Sequence, residues 1–136
     1  ENVDDGVFST KTTGMGYYDS ILNKSGRVGY MYWEKGLDGE IQYMSPADYL
    51  RKVREGFKSD KNEGLFEPSQ VEIKNAISQG KKIDMPVLFY GERRFEQEGR
   101  NRAMVAISLG LKEIPVFVAL EVSREERIKK AYGVIE

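Results

Sequence analysis

The chain has no cysteine and no histidine among its 136 residues. Without cysteine there is no disulfide, no thiolate nucleophile and no Cys-based metal site. Without histidine the commonest general base and the commonest metal ligand are both missing. Charge of one sign is also lacking, because 21 Lys and Arg face 22 Asp and Glu and leave a net charge of −1. Any contact with nucleic acid must therefore be a local patch rather than the product of an overall field. No apolar run approaches the ~20 residues that span a bilayer, so no membrane partner is expected. The opening residues carry no signal-peptide pattern, and a cytoplasmic protein is expected.

What remains has the composition of a folded domain. Hydrophobic residues make up 40% of the chain, with 8 Tyr and 6 Phe among them. At this length one core is expected, within a single domain. The start at Glu1 without Met predicts a piece of a longer parent protein, whose neighbouring domains would be partners.

The organisation changes near residue 26. Residues 1–26 are rich in Gly, Ser, Thr, Asp and Asn, with scattered apolar positions such as Phe8, Tyr17 and Ile21, and read as an arm or lead-in. The domain proper is expected over 27–136. VGYMYW at 28–33 and IQYM at 41–44 read as the two strands of a hairpin, with GLDGE at 36–40 as turn chemistry. Ser45, Pro46 and Asp48 predict a helix start, followed by an apolar face of Tyr49, Leu50, Val53 and Phe57. A polar loop over 58–68 leads to a second helix. There Ser69 and Glu72 have capping-box spacing, Val71, Ile73, Ala76 and Ile77 supply burial, and Gly80 is the stop.

PVLFY at 86–90 and FEQE at 95–98 read as strands around the polar turn GERR at 91–94. A third helix is expected over 100–109, ended by Gly110, and IPVFVAL at 114–120 reads as a central strand. A last helix is expected after Ser123, with acids early, Lys129 and Lys130 late, and Gly133 as its stop. Strands and helices mixed in this order predict an α+β fold.

EGRNRAMVAISLGLKEIPV at 98–116 is the most informative stretch. Gly99 allows a sharp turn, and the helix that follows turns its first amides outward, where they favour an anion. Arg100 and Arg102 place forked positive charge in a first turn, where the helix dipole favours acids. An anion site would account for that placement. Ala103, Ala106 and Gly110 share one face and would let the helix lie close to a sheet, an alternation that packing alone also explains. Arg93 and Arg94, in the GERR turn, would widen the basic patch.

Residues 98–116 resemble the second conserved box of the ParB/sulfiredoxin superfamily. That box runs from a Gly-x-x-Arg element, here Gly99 and Arg102, into an alanine-rich helix, a glycine and an Ile-Pro-Val strand, here Ile114 to Val116. MSPADYL at 44–50 and DMPVLFY at 84–90 agree with short ParB-like domains of phage and mobile-element proteins. The resemblance covers about residues 40–120. It implies a small mixed sheet packed with helices, and a phosphate, nucleotide or nucleic-acid ligand held by Gly99, Arg100, Asn101 and Arg102.

Sulfiredoxin activity is excluded, since it needs a cysteine in this element. The nucleotide-clamp branch is disfavoured, because neither its Glu-Asn-x-x-Arg element nor a DNA-reading helical domain is present. Nuclease, nucleoside-triphosphatase and small-molecule kinase relatives remain, as does a catalytically inactive interaction module. Short phage-type members read close to His-(Asp/Glu)-Gly-Arg-His-Arg-Ala. Here Gln97 and Asn101 occupy both histidine positions, and an amide takes up no proton at neutral pH. Glu98 is left as the catalytic candidate, able to place Mg²⁺ with a nucleotide, or a water. Binding is favoured over turnover.

Overall fold

The computed structural model describes residues 6–10, 37–62, 64–91 and 95–121. Its elements in chain order are β1 (Phe8–Ser9), β2 (Leu37–Met44), α1 (Pro46–Phe57), α2 (Glu67–Ser78), β3 (Ile83–Asp84), β4 (Val87–Tyr90), β5 (Phe95–Glu98), α3 (Arg100–Ser108) and β6 (Ile114–Glu121). Four strands form one sheet in the order β2-β6-β4-β5. β6 is antiparallel to β2 and parallel to β4, while β4 and β5 form an antiparallel hairpin. β1 and β3 make a separate two-stranded parallel ladder. The class is mixed α and β, as the order of elements predicts. No helix among the described residues is long and apolar enough to cross a membrane.

The core lies where α1 and α3 meet this sheet. Tyr49, Leu50 and Val53 of α1 and Ala103 and Ala106 of α3 are buried together with Leu88, Phe89, Ile114 and Val116. β6 has strands on both sides, in keeping with its near-continuous apolar sequence. The two alanines leave no bulk between α3 and its neighbours, and Val105 is buried beside them while Leu109 is exposed. Phe8 also enters the core, so the lead-in over 1–26 contributes at least this residue.

Local signals explain the helix ends. Ser45 Oγ accepts from the Asp48 amide at 3.0 Å, and Pro46 opens α1. After α3, Gly110 has φ +76°, and the Gly110 and Leu111 amides donate to the carbonyls of Ile107 and Ala106 at 2.9 and 3.1 Å. That is the paired bonding of a glycine C-terminal stop. Gly80 ends α2 in the same way.

Three expectations are corrected. Residues 37–40 do not turn but belong to β2, and the strand that β2 pairs with among the described residues is β6. Gly39 serves there as a seat for an aromatic ring, since a Cβ on it would come within 2.7 Å of Phe117 Cζ. Residues 28–33 lie outside the described residues, as does the helix expected after Ser123.

The second correction concerns the start of α2, which falls at Glu67 with Pro68 in its first turn and Phe66 at its cap, and Phe66 itself makes no side-chain cap hydrogen bond. Ser69 therefore falls inside the helix. The third is that Val71 is exposed, and α2 has no fully buried residue, with only Ile73 and Ile77 packing partly on the core.

Candidate anion-binding site

The turn from β5 into α3 is built so that each side chain from Gln97 to Arg102 meets a different neighbour. Gln97 Oε1 accepts from the Tyr49 hydroxyl at 3.0 Å, and Tyr49 is fully buried. Burial raises the Tyr49 pKa above its ordinary value, with Glu98 adding to the effect while Arg102 and Arg100 oppose it. The phenol is therefore a neutral donor.

Gly99 has φ +126°, and a Cβ there would lie 2.7 Å from Pro86 Cβ and 3.1 Å from Arg102 Nη2. Only glycine fits both the backbone and the space. The turn brings Glu98 and Arg102 face to face in a two-pronged ion pair, Nη2 with Oε1 and Nη1 with Oε2. Arg102 Nε also donates to the Asp84 carbonyl at 2.7 Å. The Arg102 side chain is 15% exposed and that of Glu98 34%. Burial raises the Asp84 carboxyl pKa, Arg102 opposes the shift, and Glu98 adds to it.

Asn101 is also engaged. Its Oδ1 accepts from the Phe66 amide at 2.8 Å and from Gln70 Nε2 at 3.0 Å, and its Nδ2 donates to the Gly64 carbonyl at 3.3 Å. The side chain therefore caps α2 from another helix, which is why the local capping box goes unused.

Arg100 turns away from this network. It borders a cleft of about 370 Å³ together with Arg54 and Phe57 of α1 and Ser59, Lys61 and Asn62 of the connection that follows. Its guanidinium lies over Gly64, where a Cβ would come within 2.5 Å of Nη2. Arg54 Nη1 donates to Asn62 Oδ1 at 2.8 Å, and Asn62 Nδ2 donates to the Leu50 carbonyl at 3.2 Å. The loop that carries Lys61 is thereby tied to α1. The cleft gathers three cationic side chains, and none of the described residues lining it is a carboxylate.

The expected site residues thus divide. Gly99, Asn101, Arg102 and Glu98 shape the turn, while Arg100 alone among the two arginines reaches the cleft. Arg93 and Arg94 lie outside the described residues. Arg54, Lys61 and Asn62 were missed, because no spacing near 98–116 points to residues on the far side of α2. Among the described residues no group of three or more acidic side chains gathers to hold a metal ion. In comparisons with known proteins the chain matches no family model, no curated protein and no solved structure.

Proposed function

We propose that this chain is a ParB-like phosphate-binding domain whose ligand, a nucleotide or nucleic-acid phosphate, sits in the cleft of Arg54, Lys61 and Arg100. The observation that carries this reading is the cleft itself, with three cations and no carboxylate among its described lining residues. Arginine forks suit phosphate oxygens, and the lysine adds a mobile point charge. Arg102, held by Glu98 and the Asp84 carbonyl, is the support of the turn and not a ligand contact. Glu98 is its partner, so the reading assigns binding and leaves Glu98 no role as a base.

Calorimetric titration with inorganic pyrophosphate tests this. The unmodified chain should bind, and Arg100→Ala should weaken binding at least severalfold with an unchanged melting temperature. Affinity should fall steeply with added salt, as it does for charge-driven contacts. Binding that is absent, or indifferent to Arg100, would remove the proposal.

A further inference from the structure

Phe57 closes α1 beside Arg54 and remains 45% exposed, although it is a large apolar ring bordering a charged cleft. Its position is fixed from behind. It meets Phe95 edge to face at 4.9 Å between ring centres, and Phe95 in turn packs on Tyr90 at 5.2 Å. The Phe95 ring lies across Gly56, where a Cβ would come within 2.5 Å of it. The glycine next to Phe57 thus admits the ring that buttresses it. One side of Phe57 is held by this aromatic stack, and its remaining surface is open beside three cations.

From this juxtaposition we infer that the cleft takes one unpaired nucleotide, its phosphate on Arg54, Lys61 and Arg100 and its base stacked against Phe57. The inference rests on the anion reading above and adds the base to it. An aromatic platform beside a cationic groove is the arrangement that holds single strands, because every base offers a flat π-face and every linkage a phosphate. A base in a duplex is covered by its neighbours and could not reach the ring. A volume of about 370 Å³ lies within the range of small-ligand sites. Free nucleotides and single strands present the same chemistry, and the experiment separates them.

Fluorescence anisotropy compares a short oligothymidylate, an abasic strand of equal length carrying the same phosphates, a duplex of that length, and thymidine monophosphate as competitor. The oligothymidylate should bind about tenfold more tightly than the abasic strand, the scale of one stacked base. The duplex should be weaker than the single strand. Phe57→Leu should erase the difference between the two strands, and Phe57→Trp should keep it. Competition by the monophosphate at comparable concentration marks a free nucleotide as the ligand; competition by strands alone marks nucleic acid. Equal binding of the base-bearing and abasic strands, or a duplex bound as well as the single strand, overturns the stacked base while leaving the anion reading intact. If no strand and no monophosphate binds while pyrophosphate does, the stacked base falls and the anion reading stands; if pyrophosphate does not bind either, both fall.

Discussion

Glu98 and Arg102 form a two-pronged ion pair across the Gly99 turn, and Arg102 reaches past it to the Asp84 carbonyl. The pair joins the end of β5, the first turn of α3 and the end of β3 through one guanidinium. Arg102→Ala removes all three connections and leaves a partly buried carboxylate without its partner. The expected cost is about 2–3 kcal/mol, the range for hydrogen bonds to charged groups. Arg102→Lys should recover only part of it, since an ammonium cannot present the fork. Chemical denaturation checks both variants. A melting temperature unmoved by Arg102→Ala would contradict the supporting role assigned to this residue.

Gly99→Ala should be among the most damaging single changes in the chain. It places a Cβ 2.7 Å from Pro86 Cβ and forces φ +126° on a residue with a side chain. Backbone strain of this kind costs roughly 1–3 kcal/mol before the collision is added. The denaturation midpoint should drop accordingly, and the Arg102 head group, 3.1 Å from the new atom, should be displaced with it.

Asn101 should hold α2 in place. This helix has no fully buried residue, so its docking depends on polar ties more than on burial. Asn101→Ala removes acceptors for the Phe66 amide and Gln70 Nε2 and a donor to the Gly64 carbonyl, at about 1 kcal/mol each. Hydrogen exchange should accelerate selectively in α2 while β4 and β6 stay protected. Uniform acceleration across the chain would mean that the side chain supports the whole fold and not this helix.

What could be read from the sequence follows a physical division. Ser45, Pro46 and Asp48 start α1, and Gly110 ends α3, because each signal works within four or five residues of chain. β6 was legible because Ile114 to Leu120 is almost wholly apolar. The start of α2 was not, since its cap is supplied by Asn101 from a different helix. Gly39 reads as a turn residue until Phe117 is seen lying over it. Arg100 and Arg102 are alike in sequence, yet two helical steps turn them by about 200°. One faces the cleft, the other Glu98. The cleft itself draws Arg54 and Lys61 from before α2 and Arg100 from after it, a grouping that exists only once the helices pack.

Tyr49 should make stability fall in alkali. Burial raises its pKa in the folded chain, so the native state keeps a proton that the unfolded chain gives up above its ordinary value of about 10. By linkage its contribution is fully present below that pH and is lost as pH rises beyond it. Tyr49→Phe cannot titrate, but it leaves Gln97 Oε1 without its donor, a loss of about 1 kcal/mol at neutral pH. The unmodified chain should be the more stable at pH 7, and the gap should close above pH ~10. Denaturation midpoints measured across that interval check the sign; a gap that stays constant would show that Tyr49 ionises normally.

Gly64→Ala tests the anion cleft without touching any of its charges. Gly64 has φ +77°, and an added Cβ would come within 2.5 Å of Arg100 Nη2. The obstacle is the tip of a flexible side chain, so the fold should lose only about 1 kcal/mol, chiefly from the positive φ. Arg100 must then leave its seat, and its guanidinium would no longer be set beside Arg54 and Lys61. Pyrophosphate affinity should fall severalfold while the midpoint of unfolding shifts little. Arg100→Ala combined with Gly64→Ala should then be no weaker than Arg100→Ala alone, because the glycine acts through the arginine. Additive losses would mean that Gly64 meets the ligand directly, and an unchanged affinity in the single variant would mean that the seat of Arg100 does not set binding.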